Sequence, residues 1–138
     1  MGPIEQAVRE RVRASDRLLT PSQGKPFTVD TIDDAGVVLL LGAKRARTPI
    51  RWSVLEGVGT LLAGRDWMTI GSVYDTTAIS GTLDAYLKRF INRATAGWVA
   101  ALLEKVGVVQ IDRTRPSRVR LLQDARTDAT RVAETERQ

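Results

Sequence analysis

The chain has 138 residues, of which 43% are hydrophobic, enough for one folded domain with a real core. It contains no cysteine and no histidine, which excludes disulfides, thiol nucleophiles, histidine bases and the usual zinc sites. Its acidic residues are scattered, so we expect a protein that is not an enzyme and holds no metal or cofactor.

The sequence shows no apolar run long enough for a membrane span and no apolar leader. We therefore expect a cytoplasmic protein with no membrane partner. The formal net charge is +5, and it is unevenly distributed. Residues 88–120 hold eight basic and two acidic residues, which makes that window +6 and leaves −1 for the remainder. Such a patch is typical of a protein with a polyanionic partner, the alternative being ordinary solvated charge.

An amphipathic helix is predicted over residues 4–19. Mostly apolar residues follow one side of it, with charged residues elsewhere: Ile4, Val8, Val12, Ser15 and Leu19. Residues 20–26, rich in proline, glycine and polar side chains, end the helix in a loop. The helix could pack on its own domain or on a second copy of the chain.

A β-hairpin is predicted next. Residues 27–32 alternate between apolar and polar side chains, and residues 37–41 are continuously apolar, which indicates a strand covered on both faces. A basic loop follows at residues 42–47. A short strand at 48–52 would lie at the sheet edge, because Pro49 cannot donate to a neighbouring strand.

A helix is predicted from Ser53, where Ser53 and Glu56 match the spacing of a capping box. Gly57 and Gly59 weaken this helix by roughly 1 kcal/mol each. Gly64 is placed to end it. The expected buried residues are Val54, Leu55, Val58, Leu61 and Leu62. A short strand at 67–71 and a polar loop at 73–80 follow.

Two further helices are predicted before the C-terminal strands. The first covers residues 81–91, and its expected inward side chains are Leu83, Leu87, Phe90 and Ile91. The second covers residues 93–106, with Asn92 as its N-cap and Gly107 at its C-terminal end. Its core face follows the i, i+3, i+4, i+7 spacing: Val99, Leu102, Leu103 and Val106.

The chain then changes to an extended pattern. Residues 108–111 predict a strand, residues 113–118 a polar turn containing a proline, and residues 119–122 a second strand. The polar residues from 123 to 138 predict a frayed helix or a disordered tail.

Residues 53–122 thus read as helix, strand, helix, turn, helix, strand, turn, strand. This order resembles the winged helix-turn-helix superfamily, and the phrase Leu102-Leu-Glu-Lys-Val-Gly-Val-Val109 is similar to the end of many of its recognition helices. The expected fold class is therefore α+β, a winged helix preceded by an N-terminal helix and a β-hairpin. The corresponding divisions are 1–24, 25–52, 53–122 and a tail at 123–138.

The resemblance implies that helix 93–106 enters the major groove of DNA and that turn 113–118 is the wing. On that basis phosphate contacts from the wing are assigned to Arg113, Arg115, Arg118 and Arg120. Backbone contacts beside the helices are assigned to Lys88, Arg89 and Arg93, and base contacts to Asn92, Arg93 and Thr95. The crowded wing arginines would repel one another, and a polyanion would relieve that repulsion.

The outward face of the second helix is smooth, since it carries Arg93, Ala94, Gly97, Ala101 and Glu104. Small side chains there would let the helix approach a groove closely at Gly97, but they offer few groups that read bases. We therefore predict double-stranded DNA binding, mainly through the backbone, by a small transcription regulator, an architectural protein or a DNA-reading subunit. The alternative is a protein-assembly module, in which this face packs on a partner or on a second copy.

Overall fold

The computed structural model describes residues 1–21, 23–71, 81–114 and 116–122. Over these residues the protein is mixed α+β, with four helices and two antiparallel sheets. In chain order the elements are α1 (Pro3–Arg11), β1 (Arg17–Leu19), β2 (Pro26–Ile32), β3 (Gly36–Leu41), β4 (Ala46–Arg51), α2 (Trp52–Leu62), β5 (Met68–Thr69), α3 (Leu83–Leu87), α4 (Ala96–Lys105), β6 (Val109–Asp112) and β7 (Arg118–Leu121).

The first sheet is a meander in the order β1-β2-β3-β4, and it confirms the predicted hairpin. Phe27 pairs with Leu41 and Val29 with Leu39, so β2 and β3 are antiparallel neighbours. β3 lies inside the sheet and is almost entirely buried, as its continuous apolar run predicts. β4 forms one edge of this sheet, so the exposed Pro49, which has no N–H to donate, does not interrupt the pairing with a further strand.

The predicted helix over residues 4–19 is wrong beyond Arg11, because the residues after it form a turn and then pair with β2. The Asp16 carboxylate accepts a hydrogen bond from the Arg13 amide at 2.9 Å and closes a turn. The Val29 amide on β2 then donates to the Asp16 carbonyl at 2.9 Å. The residues that follow become β1, which buries Leu18 and leaves Leu19 61% exposed.

The capping box predicted at Ser53 and Glu56 is also wrong. Helix α2 begins at Trp52, and the Glu56 carboxylate serves a different helix. Its two oxygens accept hydrogen bonds from the amides of Ile4, at 3.1 Å, and Glu5, at 2.8 Å. Glu56 therefore satisfies two of the amides that the first turn of α1 leaves without helical partners.

The second sheet has the order β5-β7-β6. β6 and β7 form the C-terminal hairpin, in which Ile111 pairs with Val119. β5, which lies between α2 and α3 in the chain, pairs with the other side of β7 through Met68 and Val119. The order of elements predicted for residues 53–122 is thus present, and its strands share one sheet.

Helix α3 is shorter than predicted, and Phe90 is not a core residue. The helix begins at the N-cap Thr82, whose hydroxyl accepts from the Ala85 amide at 3.1 Å. After Leu87 the chain continues in tight turns, including a bond from the Phe90 amide to the Leu87 carbonyl. These turns change the helical phase, so Phe90 is 53% exposed and rests against the Tyr86 ring at 5.3 Å.

Helix α4 is the central element of the fold. It begins after Thr95, so the predicted N-cap at Asn92 is wrong, while Gly107 has the expected left-handed backbone after its end, with φ of 79°. α1, β1, α3 and β6 all pack against it. One continuous cluster of buried apolar side chains, from Ile4 to Leu121, surrounds this helix.

The predicted loop at 73–80, the predicted tail at 123–138 and the candidate residue Arg115 lie outside the described residues. Within the described ranges no helix is long and apolar enough to cross a membrane.

Candidate nucleic-acid interface

The face predicted to be open on α4 is buried at Ala101, whereas Ala94, Gly97 and Glu104 are half-buried and Arg93 is exposed. Ala101, a member of that face, is only 5% exposed, and the neighbouring Ala96 and Ala100 are fully buried. Helix α4 packs against α1, β1, α3 and β6, and small side chains let neighbouring elements approach a helix closely. The expectation that this face is open to a groove or a partner is therefore wrong at Ala101. Gly97 remains half-buried.

Two residues assigned to DNA from the sequence have structural roles instead. Thr95 is fully buried beneath the start of α4, so it cannot face base edges. Lys88 forms an ion pair with Asp84 at 2.8 Å, and only 13% of its side chain is exposed. Because the Asp84 side chain is fully buried, Lys88 supplies the cation that a buried carboxylate needs.

The remaining residues at the start of α4 are exposed. Arg93 donates a hydrogen bond to the hydroxyl of Thr48 on β4 at 3.2 Å, so its guanidinium is directed toward the first sheet. Arg89 lies 5.7 Å from the centre of the Phe90 ring. Asn92 is exposed in the turns between α3 and α4.

The hairpin of β6 and β7, predicted as the wing, places two arginines side by side. Arg118 and Arg120 flank the buried Val119 on β7, so both project from the outer face of the second sheet. Their guanidinium carbons lie 5.6 Å and 4.3 Å from the centre of the Trp67 ring. The sequence did not predict this aromatic platform. Trp67 directly precedes β5, and β5 is brought beside Arg118 and Arg120 only by its pairing with β7, about fifty residues later in the chain.

Polar partners fix these side chains further. Arg118 forms a 2.6 Å ion pair with Asp112, which lies opposite it on β6. Arg120 donates to Gln110 at 3.2 Å and lies 3.4 Å from Asp66. Arg113, at the turn, forms two parallel bonds to Glu104 of α4, at 2.8 and 2.6 Å. The repulsion expected among the wing arginines is therefore relieved within the chain.

Asp112 is the most perturbed acid of the wing. Hydrogen bonds from the Thr114 hydroxyl and amide, and then from Arg118, lower the pKa of Asp112 to about 2. The carboxylate is therefore ionised at any physiological pH. It holds the end of β6 to both the turn and β7.

The candidate residues fall into two separate places. Arg93 lies before α4, whereas Arg113 contacts Glu104 in its last turn. A ten-residue helix is about 15 Å long, so these two arginines do not form one patch. We call the three described arginines of the hairpin the wing group: Arg113, Arg118 and Arg120.

Comparisons with models of known protein families, with curated protein sequences and with solved structures found no match. Among the residues that the structure describes, no group of three acidic side chains is arranged to hold a metal ion.

Proposed function

We propose that this protein binds double-stranded DNA through phosphate contacts made by the wing group. The observation that carries the proposal is the pair Arg118 and Arg120, held side by side over Trp67 on the outer face of the second sheet. Guanidinium groups match phosphate oxygens with two parallel hydrogen bonds. Groups that are already oriented lose less conformational freedom on binding.

We further propose that residues 53–122 form a winged helix-turn-helix. The supporting observation is the order of α2, β5, α3, α4, β6 and β7, with the early strand β5 paired to the terminal hairpin. In this arrangement Arg113 and Thr114, which follow β6, are exposed and can be reached by a duplex.

The internal ion pairs of the wing are compatible with DNA binding. Half of the Arg113 side chain is exposed, as is a third of its partner Glu104. Exposed pairs contribute only roughly 0–1 kcal/mol, so a phosphate can replace a carboxylate at small cost. The carboxylates would then hold each guanidinium in position until a phosphate arrives.

The binding mode that we propose is mainly independent of sequence. Burial of Thr95 and Ala101 leaves α4 with few side chains for the edges of bases. Contacts from the wing to phosphates carry no sequence information directly. The protein-assembly alternative is that the half-buried part of this helix face, around Ala94 and Gly97, packs on a partner.

A salt series on duplex affinity tests the proposal. Changing Arg113, Arg118 and Arg120 together to Gln should weaken binding to any duplex and lower the salt slope by up to about three units. With each phosphate contact that is lost, fewer counterions are released on binding. The charge-matched control changes Lys44, Arg47 and Arg51, which lie on β4 and in the turn before it. Equal affinities and slopes for native and wing variants would contradict the proposal, as would an equal loss in the control.

A further inference from the structure

A second cationic feature lies on the first sheet, away from the wing. It is a cleft of about 510 Å³ whose lining includes Ser15, Arg17, Thr28, Leu40 and Arg45. Three of these residues are neighbours across strands, because Arg17 pairs with Thr28 and Thr28 pairs with Leu40. They form one row on the sheet, and Arg45 comes from the turn between β3 and β4.

The backbone holds both ends of this cleft in unusual conformations. Ser15 has φ of 79° and Arg45 has φ of 51°, the left-handed region that residues other than glycine rarely occupy. The Ser15 amide donates to the Val29 carbonyl at 2.7 Å, and the Arg45 amide donates to the Gly42 carbonyl at 3.1 Å. Ser15 and Arg45 are therefore presented on fixed turns.

The cations of the cleft differ from those of the wing. Within the described ranges, neither the Arg17 nor the Arg45 guanidinium has an ion pair or a hydrogen bond to another side chain. The cleft lining contains two arginines and no acidic residue. Two unneutralised guanidinium groups in one concave surface favour an anion, and the low intrinsic hydration of guanidinium makes its desolvation inexpensive.

The chemistry of the lining matches a phosphate group. A phosphate monoester carries a charge of about −1.5 to −2 with three strong acceptor oxygens, whereas a carboxylate carries −1 with two. Two arginines balance the larger charge and supply forked donors, and the hydroxyls of Ser15 and Thr28 supply further donors. Pro26 and Leu40 add apolar surface for whatever carries the phosphate.

We propose that this cleft is a phosphate-binding site distinct from the wing. The phosphate could belong to a small phosphate ester or to the backbone of a nucleic acid duplex, and both present the same group. The proposal stands on the cleft alone and does not depend on DNA binding by the wing.

The test is an NMR titration of the isotopically labelled full chain, first with inorganic phosphate and then with a short DNA duplex. The native protein should show shifts of the Ser15, Thr28 and Arg45 amides. Changing Arg17 and Arg45 together to Gln should raise the phosphate dissociation constant at least about tenfold, since two charged hydrogen-bond donors are lost. Both side chains are exposed, so this variant should keep the native melting temperature.

The control changes Lys44 and Arg51 to Gln, which removes the same charge outside the cleft. Loss of phosphate binding in the cleft variant alone, with duplex affinity unchanged, would support the site and indicate a small phosphate ester. Loss of duplex affinity in the cleft variant alone, with the wing intact, would support the site and indicate a backbone phosphate. Equal losses in variant and control, or no shift in the cleft with either probe, would overturn the proposal.

Discussion

Asp112 determines how the wing responds to acid. Its folded pKa of about 2 lies below the ordinary value of 3.8, so ionisation of this carboxyl stabilises the folded turn. That contribution is complete above the unfolded pKa and is lost as the pH falls from near 4 through about 2. Between pH 5 and 8 the wing should therefore keep its shape, and titration of Asp112 should not change DNA binding there.

Glu104 should compete with phosphate for Arg113. Glu104→Gln removes the carboxylate from the bidentate pair and one negative charge beside the wing, so duplex affinity should rise by about twofold to tenfold. Fluorescence anisotropy with a labelled duplex at low salt measures this. Glu10→Gln, an exposed acid on α1, makes the same change in net charge and should have a smaller effect. A fall in affinity with Glu104→Gln would contradict this prediction, because it would mean that duplex binding requires the intact Arg113–Glu104 pair.

At the scale of the elements, α2 needs glycine at position 57, although glycine weakens a helix. A Cβ at Gly57 would overlap the Tyr86 hydroxyl, which donates to the Val54 carbonyl at 2.8 Å. Gly59 differs, since a Cβ there would lie 3.2 Å from the flexible end of Ile4. Gly57 is thus the place where α3 approaches α2 most closely.

Gly57→Ala should lower the free energy of unfolding, although alanine favours a helix by roughly 1 kcal/mol. The steric conflict with Tyr86 should exceed that gain, and adding Tyr86→Phe should restore part of the loss by removing the hydroxyl. Denaturant unfolding of the single and double variants measures both effects, with Gly59→Ala as the matched control. Stabilisation by Gly57→Ala alone would show that the two helices can separate without cost.

Local patterns predicted the elements whose partners are close in the chain. Alternation and apolar runs gave β2, β3 and the C-terminal hairpin, and helical spacing gave the buried Leu102 and Leu103 of α4. The errors arose where a partner far away in the sequence determines the local structure. Asp16 ends the first helix region because Val29 pairs with it, and Glu56 caps a helix more than fifty residues away. Neither contact has a signal in the surrounding sequence.

The sequence predicts the charge of the candidate site, but not how its side chains are arranged. The excess of arginine over residues 113–120 predicts a cationic hairpin, but not that Arg118 and Arg120 lie over Trp67. Alanine, however, suits both a groove-facing surface and a close helix contact, so the sequence did not distinguish the buried Ala101 from an open face. The acidic partners Glu104 and Asp66 come from α4 and from the loop before β5, so only the folded structure shows that they pair with these arginines.

For the whole molecule, the main consequence of the fold is that the N-terminal sheet and the C-terminal unit share one core. β1 and α1 pack on α4, the helix that the resemblance assigns to the major groove, and Ala101 on its predicted outward face is buried. Accessible cationic surfaces of the described residues include the wing group, the turn before α4 and the cleft of the first sheet. A duplex that contacts the wing would meet this molecule at its second sheet rather than along α4.

The most direct test of that claim is an NMR map of the duplex contact on the labelled full chain at low salt. Addition of duplex should shift the guanidinium signals of Arg113, Arg118 and Arg120 and the indole signal of Trp67, because these groups share the outer face and turn of the second sheet. The amides of residues 99–103, buried within α4, should change little. Shifts centred on α4 with none at the wing would contradict the account, as would the absence of any duplex binding.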